Sequence, residues 1–97
     1  MKRFDWDIKK NEKLIQERNI SFEEVIFFIE RGGLLDIVDH PSPKYRHQKM
    51  FILDIDGYAY LVPFLETEET YFLKTIFPSR KATREYLDKE GKSYEAG

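Results

Sequence analysis

Cysteine is absent from the chain. Its absence excludes disulfide staples, thiolate metal sites and a thiol nucleophile, and makes a reducing compartment the natural home. Long apolar runs are missing too. None approaches the ~20 residues that a membrane-spanning helix requires, and the opening Met1-Lys2-Arg3-Phe4-Asp5-Trp6-Asp7 lacks the apolar centre of a secretory signal. A cytoplasmic protein with no membrane partner is expected. There are no internal repeats and no low-complexity segments. A chain of 97 residues is expected to form one domain over 1–97, near the lower end of the size at which a single core suffices. Eight Phe, six Tyr and one Trp supply that core although 35% of the residues are charged.

The formal charge is −2, which argues against a general coat for nucleic acid. Its distribution is uneven. Residues 40–49 contain Lys44, Arg46 and Lys49 with two histidines, and residues 74–84 contain Lys74, Arg80, Lys81 and Arg84; neither segment holds an acid. Seven of the 16 bases thus lie in two short stretches, while all 18 acids lie elsewhere. A local anion site on an acidic body accounts for this, as do two solvated surface segments.

Asp7 is placed to cap a helix over about 8–18, with Ile8, Leu14 and Ile15 as a thin apolar stripe. Ser21-Phe22-Glu23-Glu24 reads as a capping box, Ile20 and Val25 as its staple, and Gly32-Gly33 as the stop. Phe22, Val25, Ile26 and Ile29 fall on one buried face of this second helix. A short strand over 34–38 and a loop at His40-Pro41-Ser42-Pro43 follow. Asp56-Gly57 between two apolar runs predicts a two-residue hairpin joining 49–55 to 58–65, with Ile55 opposite Tyr58, Leu53 opposite Tyr60 and Phe51 opposite Val62. Pro63 cannot donate to a ladder, so the second strand should be exposed or bulged near its end. A strand over 70–77 and a helix from Arg80 to about Glu90, capped by Ser79, complete the chain, with a frayed tail at 91–97. The expected class is α+β: two N-terminal helices packed on one face of a four-stranded, mainly antiparallel sheet, then a C-terminal helix.

Two stretches resemble a known family. Phe4-Asp5-Trp6-Asp7 with Lys10, followed sixteen residues after Trp6 by Phe22 within Ile20-Ser21-Phe22-Glu23-Glu24, resembles the opening of BrnT-type toxins. Ser79-Arg80-Lys81-Ala82-Thr83-Arg84 resembles the segment that joins their last strand to their last helix. The resemblance implies a RelE-like fold and ribonuclease activity. It also implies a type II toxin–antitoxin system, in which an antitoxin with a ribbon-helix-helix DNA-binding part inactivates the toxin. DNA would then be reached only through the antitoxin.

Metal-free RNA cleavage needs a base for the 2′-hydroxyl, cations for the pentavalent phosphate and an acid for the departing 5′-oxygen. Arg80 at a helix start is the first candidate phosphate ligand, with Lys74 and Lys49 beside it. His47 is the candidate proton-transfer group, because histidine alone titrates near neutrality. Arg46, Lys81 and Arg84 are candidate RNA contacts. Single-site chemistry predicts that Lys49, Lys74 and Arg80 converge on one sheet face. No cofactor or metal is expected; Asp36, Asp39 and His40 could ligate a divalent ion, but their spacing matches no established pattern. Tyr58, Tyr60 and Tyr71 are read as core before base-stacking residues. The rival classes are a non-catalytic RelE-like module that docks a partner protein through its basic strip, and a ribosome-associated RNA binder.

Overall fold

Helix and hairpin signals of the sequence are local, and they place the elements around which the rest is arranged. The computed structural model describes Lys2 to Asp88. Asp7 accepts a hydrogen bond from Lys9 N–H and starts α1 (Ile8–Arg18), which Asn19 ends in the left-handed region. Ser21 and Glu24 form both halves of the capping box of α2 (Phe22–Glu30). Phe22, Val25 and Ile29 are buried, with Ile26 half-buried beside them. The apolar stripe expected on α1 is narrower than the sequence suggests. Leu14 is buried, but Ile8 and Ile15 are exposed, and the second buried position is the polar Asn11.

Strands β2 (Leu34–Asp39), β3 (Lys49–Ile55), β4 (Tyr58–Glu66) and β5 (Thr70–Leu73) form an antiparallel meander. Asp56 and Gly57 both have positive φ, as a type I′ hairpin turn requires, and the register pairs Ile55, Leu53 and Phe51 with Tyr58, Tyr60 and Val62. Gly33 admits no side chain, because a Cβ there would lie 2.9 Å from the Phe28 carbonyl oxygen. On one sheet face Phe51, Leu53, Val62, Phe64 and Leu73 pack with Leu14, Phe22, Val25 and Ile29 of the two helices. Phe51 and Phe64 stack with ring centroids 4.0 Å apart. Truncating either to alanine is expected to cost about 3–5 kcal/mol.

Three features correct the four-stranded expectation. Arg3–Trp6 is a strand, β1, that the sequence reading does not include, and it pairs in parallel with β5 at the sheet edge. The strand expected over 70–77 is broken: β5 ends at Leu73, Lys74 to Ile76 leave the sheet, and β6 (Phe77–Pro78) pairs with β4 again. The sheet therefore has six strands and is mixed. Third, the C-terminal segment packs on the face opposite α1 and α2, where Ala82, Tyr86 and Leu87 meet Ile52, Ala59 and Leu61. It is α-helical only over α3 (Arg80–Ala82) and continues as a π turn over Thr83–Leu87. The expected continuation to Glu90 and the tail at 91–97 lie outside the described residues.

Pro63 is buried and unbulged, contrary to expectation. The two-residue turn makes Ile55–Tyr58 a hydrogen-bonded pair, and alternation then makes Met50–Pro63 a non-bonded one. The missing N–H of Pro63 thus falls on the other side of β4, where β5 has ended and β6 has not begun. The irregularity appears in the neighbouring strand.

Candidate functional site: a basic cleft

Strand alternation decides which cations can meet. Lys49 has the parity of Phe51 and Leu53 and lies on the α1/α2 face, where its charge acts on Glu66. Lys74 follows Leu73 of that face and lies on the other, its ammonium 5.3 Å from the Phe72 ring centroid. Lys74 N–H donates to the Pro63 carbonyl and Ser79 N–H to the Ala59 carbonyl. Those two carbonyls are four positions apart on β4, so Arg80 is displaced from Lys74 by about 13 Å at the usual strand rise. The expected pocket of Lys49, Lys74 and Arg80 is therefore not formed. Arg80 is exposed, and Ser79 caps it by accepting from Ala82 N–H. Only three residues of regular α-helix follow, so the helix-start support argued for Arg80 is weak. Lys81 and Arg84 are exposed on the same segment.

The structure gathers a different set. Where Lys74 to Ile76 leave the sheet, a cleft of about 340 Å³ opens, with Lys10, His40, Tyr45, Gln48, Lys74 and Thr75 as its polar lining. Pro63 and Phe77 supply the apolar part of the wall. Among the described residues no carboxylate lines it. The contrast with a concavity of about 330 Å³ at the hairpin turn, which includes Asp54 and Asp56, is direct. Both expected basic segments contribute, through His40, Tyr45 and Gln48 from one and Lys74 from the other.

Each lining residue is placed by a nameable contact. Trp6 of β1 lies opposite Leu73, so α1 starts beside the point where Lys74 leaves the sheet, and Lys10 reaches the cleft from the first turns of that helix. Arg18 at the other end of α1 donates to the Ile76 carbonyl and ties down the far side of the break. The loop from His40 to Gln48 is closed at its base by His40 N–H donating to the Gln48 carbonyl at 3.1 Å. A 3₁₀ turn over Pro43–Tyr45, capped by Ser42, folds inside it. His40 Nδ1 accepts from Ser42 N–H at 3.1 Å, which assigns the proton of the neutral ring to Nε2. The His40 and Tyr45 rings pack at 4.9 Å between centroids.

The other sequence candidates stay outside. His47 and Arg46 are exposed and are not among the residues that line the cleft. Lys44 lies 5.5 Å from the Tyr45 ring centroid. Asp36 and Asp39 take opposite sheet faces, and Asp36 accepts from the Tyr86 hydroxyl at 2.6 Å. Among the described residues no three His, Asp or Glu side chains gather as a metal-binding group. Tyr60 and Tyr71 pack against the core, whereas Tyr58 is exposed at the hairpin. Lys10 and His40 were both visible in the sequence, Lys10 in the opening motif and His40 in the first acid-free segment. Only the fold brings them to Lys74. Among the described residues, no helix is long and apolar enough to cross a membrane. No family model matches the chain, and neither a curated protein nor a solved structure matches it.

Proposed function

We propose that the chain is a BrnT-type toxin of a type II toxin–antitoxin system, a metal-independent ribonuclease whose chemistry lies in the cleft of Lys10, His40 and Lys74. One observation carries the reading: on a chain with more acids than bases, two ammonium groups and an imidazole share a cleft that no carboxylate of the described residues lines. Such a site favours an anion, and lysines in a partly enclosed cleft stabilise charge that develops on phosphorus. His40 accepts the 2′-hydroxyl proton at Nε2 as the O2′–P bond forms, in the tautomer that carries its proton on Nδ1 and gives up the bond from Ser42 N–H. An ammonium of the Lys10–Lys74 pair protonates the 5′-oxygen as the P–O5′ bond breaks. Arg80, Lys81 and Arg84 are outlying contacts for the RNA backbone, and Lys49, Arg46 and His47 have no part in the proton transfers. The order of helices and strands, with two helices over one face of a mixed sheet, supports the RelE-like fold that the resemblance implies. The neutralising partner is an antitoxin, and the working compartment is the cytoplasm.

A non-catalytic docking module is the second reading, favoured by the exposed Ile8 (70%) and Phe27 (51%). Induced expression in bacteria separates the two. The expected outcome is growth arrest that Lys74→Ala and His40→Ala relieve with folded protein still present, Arg80→Ala relieving it less. Normal growth with abundant folded wild-type protein would favour the docking module.

A further inference from the structure

Phosphate chemistry uses the two lysines and the imidazole of the cleft; it leaves Gln48 without a task. The backbone of Gln48 is engaged on both sides, its N–H donating to the Tyr45 carbonyl at 2.8 Å and its carbonyl accepting from His40 N–H at 3.1 Å. Those bonds fix its position at the base of the loop. Gln48 lines the cleft, and its side-chain amide has no hydrogen-bond partner among the described residues. Gln48 is half-buried, and its amide offers two donors and one acceptor in a plane. Beside it stand three ring systems, the tilted His40–Tyr45 pair and Phe77. A ring surface binds the face of any nucleobase by stacking and tolerates sequence, whereas an amide distinguishes the edges of bases by their donor and acceptor order. The cleft volume lies at the lower end of ligand sites, the scale of one small planar ligand with an anionic group.

We infer that Gln48 is a specificity-determining residue that reads the edge of one nucleobase, while the neighbouring rings stack on its face and Lys10 and Lys74 hold its phosphate. This rests on the ribonuclease reading and adds a base preference to it. Lys10 and Lys74 supply affinity common to all nucleotides, and Gln48 supplies the difference between them.

Binding of the four ribonucleoside 5′-monophosphates and of inorganic phosphate to the purified full chain tests this without depending on turnover. Wild-type protein should bind the four nucleotides with affinities spread by about fivefold or more, the lower end for one bidentate side chain–base contact. Gln48→Leu should bring the four close to equality and leave inorganic phosphate unchanged. Gln48→Glu, which replaces two donors with acceptors at nearly constant shape, should reorder the ranking. Lys74→Ala should weaken all five probes alike and preserve the ranking. Equal affinities in the wild type, or an unchanged ranking in both Gln48 variants, would overturn the inference while leaving the phosphate site standing. Failure of the wild type to bind any of the five probes would remove the cleft reading and the inference together.

Discussion

Asn11 holds together two helices through two bonds made by one side chain. Its Oδ1 accepts from Phe22 N–H at 2.8 Å and its Nδ2 donates to Glu23 Oε1 at 2.8 Å. The second bond is the main reason the Glu23 carboxyl is held below its ordinary 4.5. Phe22 N–H is one of the free donors at the start of α2, in a residue with no exposure. Without Asn11 it is left buried and unpaired. Asn11→Ala should therefore cost about 1–3 kcal/mol in chemical denaturation, with Lys9→Ala as a near-neutral control; equal stability of the two variants would contradict the role. Nothing in the sequence marks Asn11, because its partners are remote and an asparagine among helical charges reads as solvated. His40 and Lys10 were legible as residue types. Their shared cleft was not, since it depends on where two loops end in space.

At the scale of elements, what was legible is what is decided within a few residues. The caps at Asp7 and Ser21 and the Asp56-Gly57 hairpin act through neighbouring backbone groups, and the structure has them where the sequence places them. Strand β1 is four residues long and is stabilised by β5, which begins at Thr70, so its short Phe4/Trp6 alternation carries little signal alone. The break between β5 and β6 has the same origin, for the β-branched Thr75 and Ile76 continue into Phe77 and read as strand. Across the open face, the Tyr86–Asp36 bond ties the C-terminal turn to β2. The Tyr86 hydroxyl is the main cause holding the Asp36 carboxyl below its ordinary 3.8, and the same bond is the main cause raising the Tyr86 phenol above 10.0. A carboxyl depressed in the folded state contributes stability above its unfolded value and loses it as pH falls through the folded one. A phenol raised in the folded state contributes below its unfolded value and loses it as pH rises through the folded one. Thermal melts of wild type and Tyr86→Phe should thus differ by a constant amount between about pH 5 and pH 9, and converge below about pH 4 and well above pH 10. A difference that persists undiminished at pH 3 would show that the bond is not its source.

Over the whole molecule, the net negative charge and the basic cleft are compatible because no acid among the described residues lines it. The sequence shows the two acid-free segments, and the fold joins them through a sheet interruption that gives Lys10, on the helix side, access to the same space as Lys74. The three-cation arrangement expected from the sequence is not formed, since Lys49 and Lys74 lie on opposite sides of the sheet and Arg80 follows Lys74 four positions further along β4. The central claim is that the cleft cleaves RNA with its own side chains. The most direct measurement is cleavage of a short single-stranded RNA by the purified chain in excess chelator, wild type against Lys74→Ala. The expected result is cleavage that chelator does not abolish, and that Lys74→Ala slows by about 100- to 1000-fold, as loss of one group stabilising developing charge does. Cleavage lost in chelator and restored by a divalent ion, or an equal rate in folded Lys74→Ala, would contradict it.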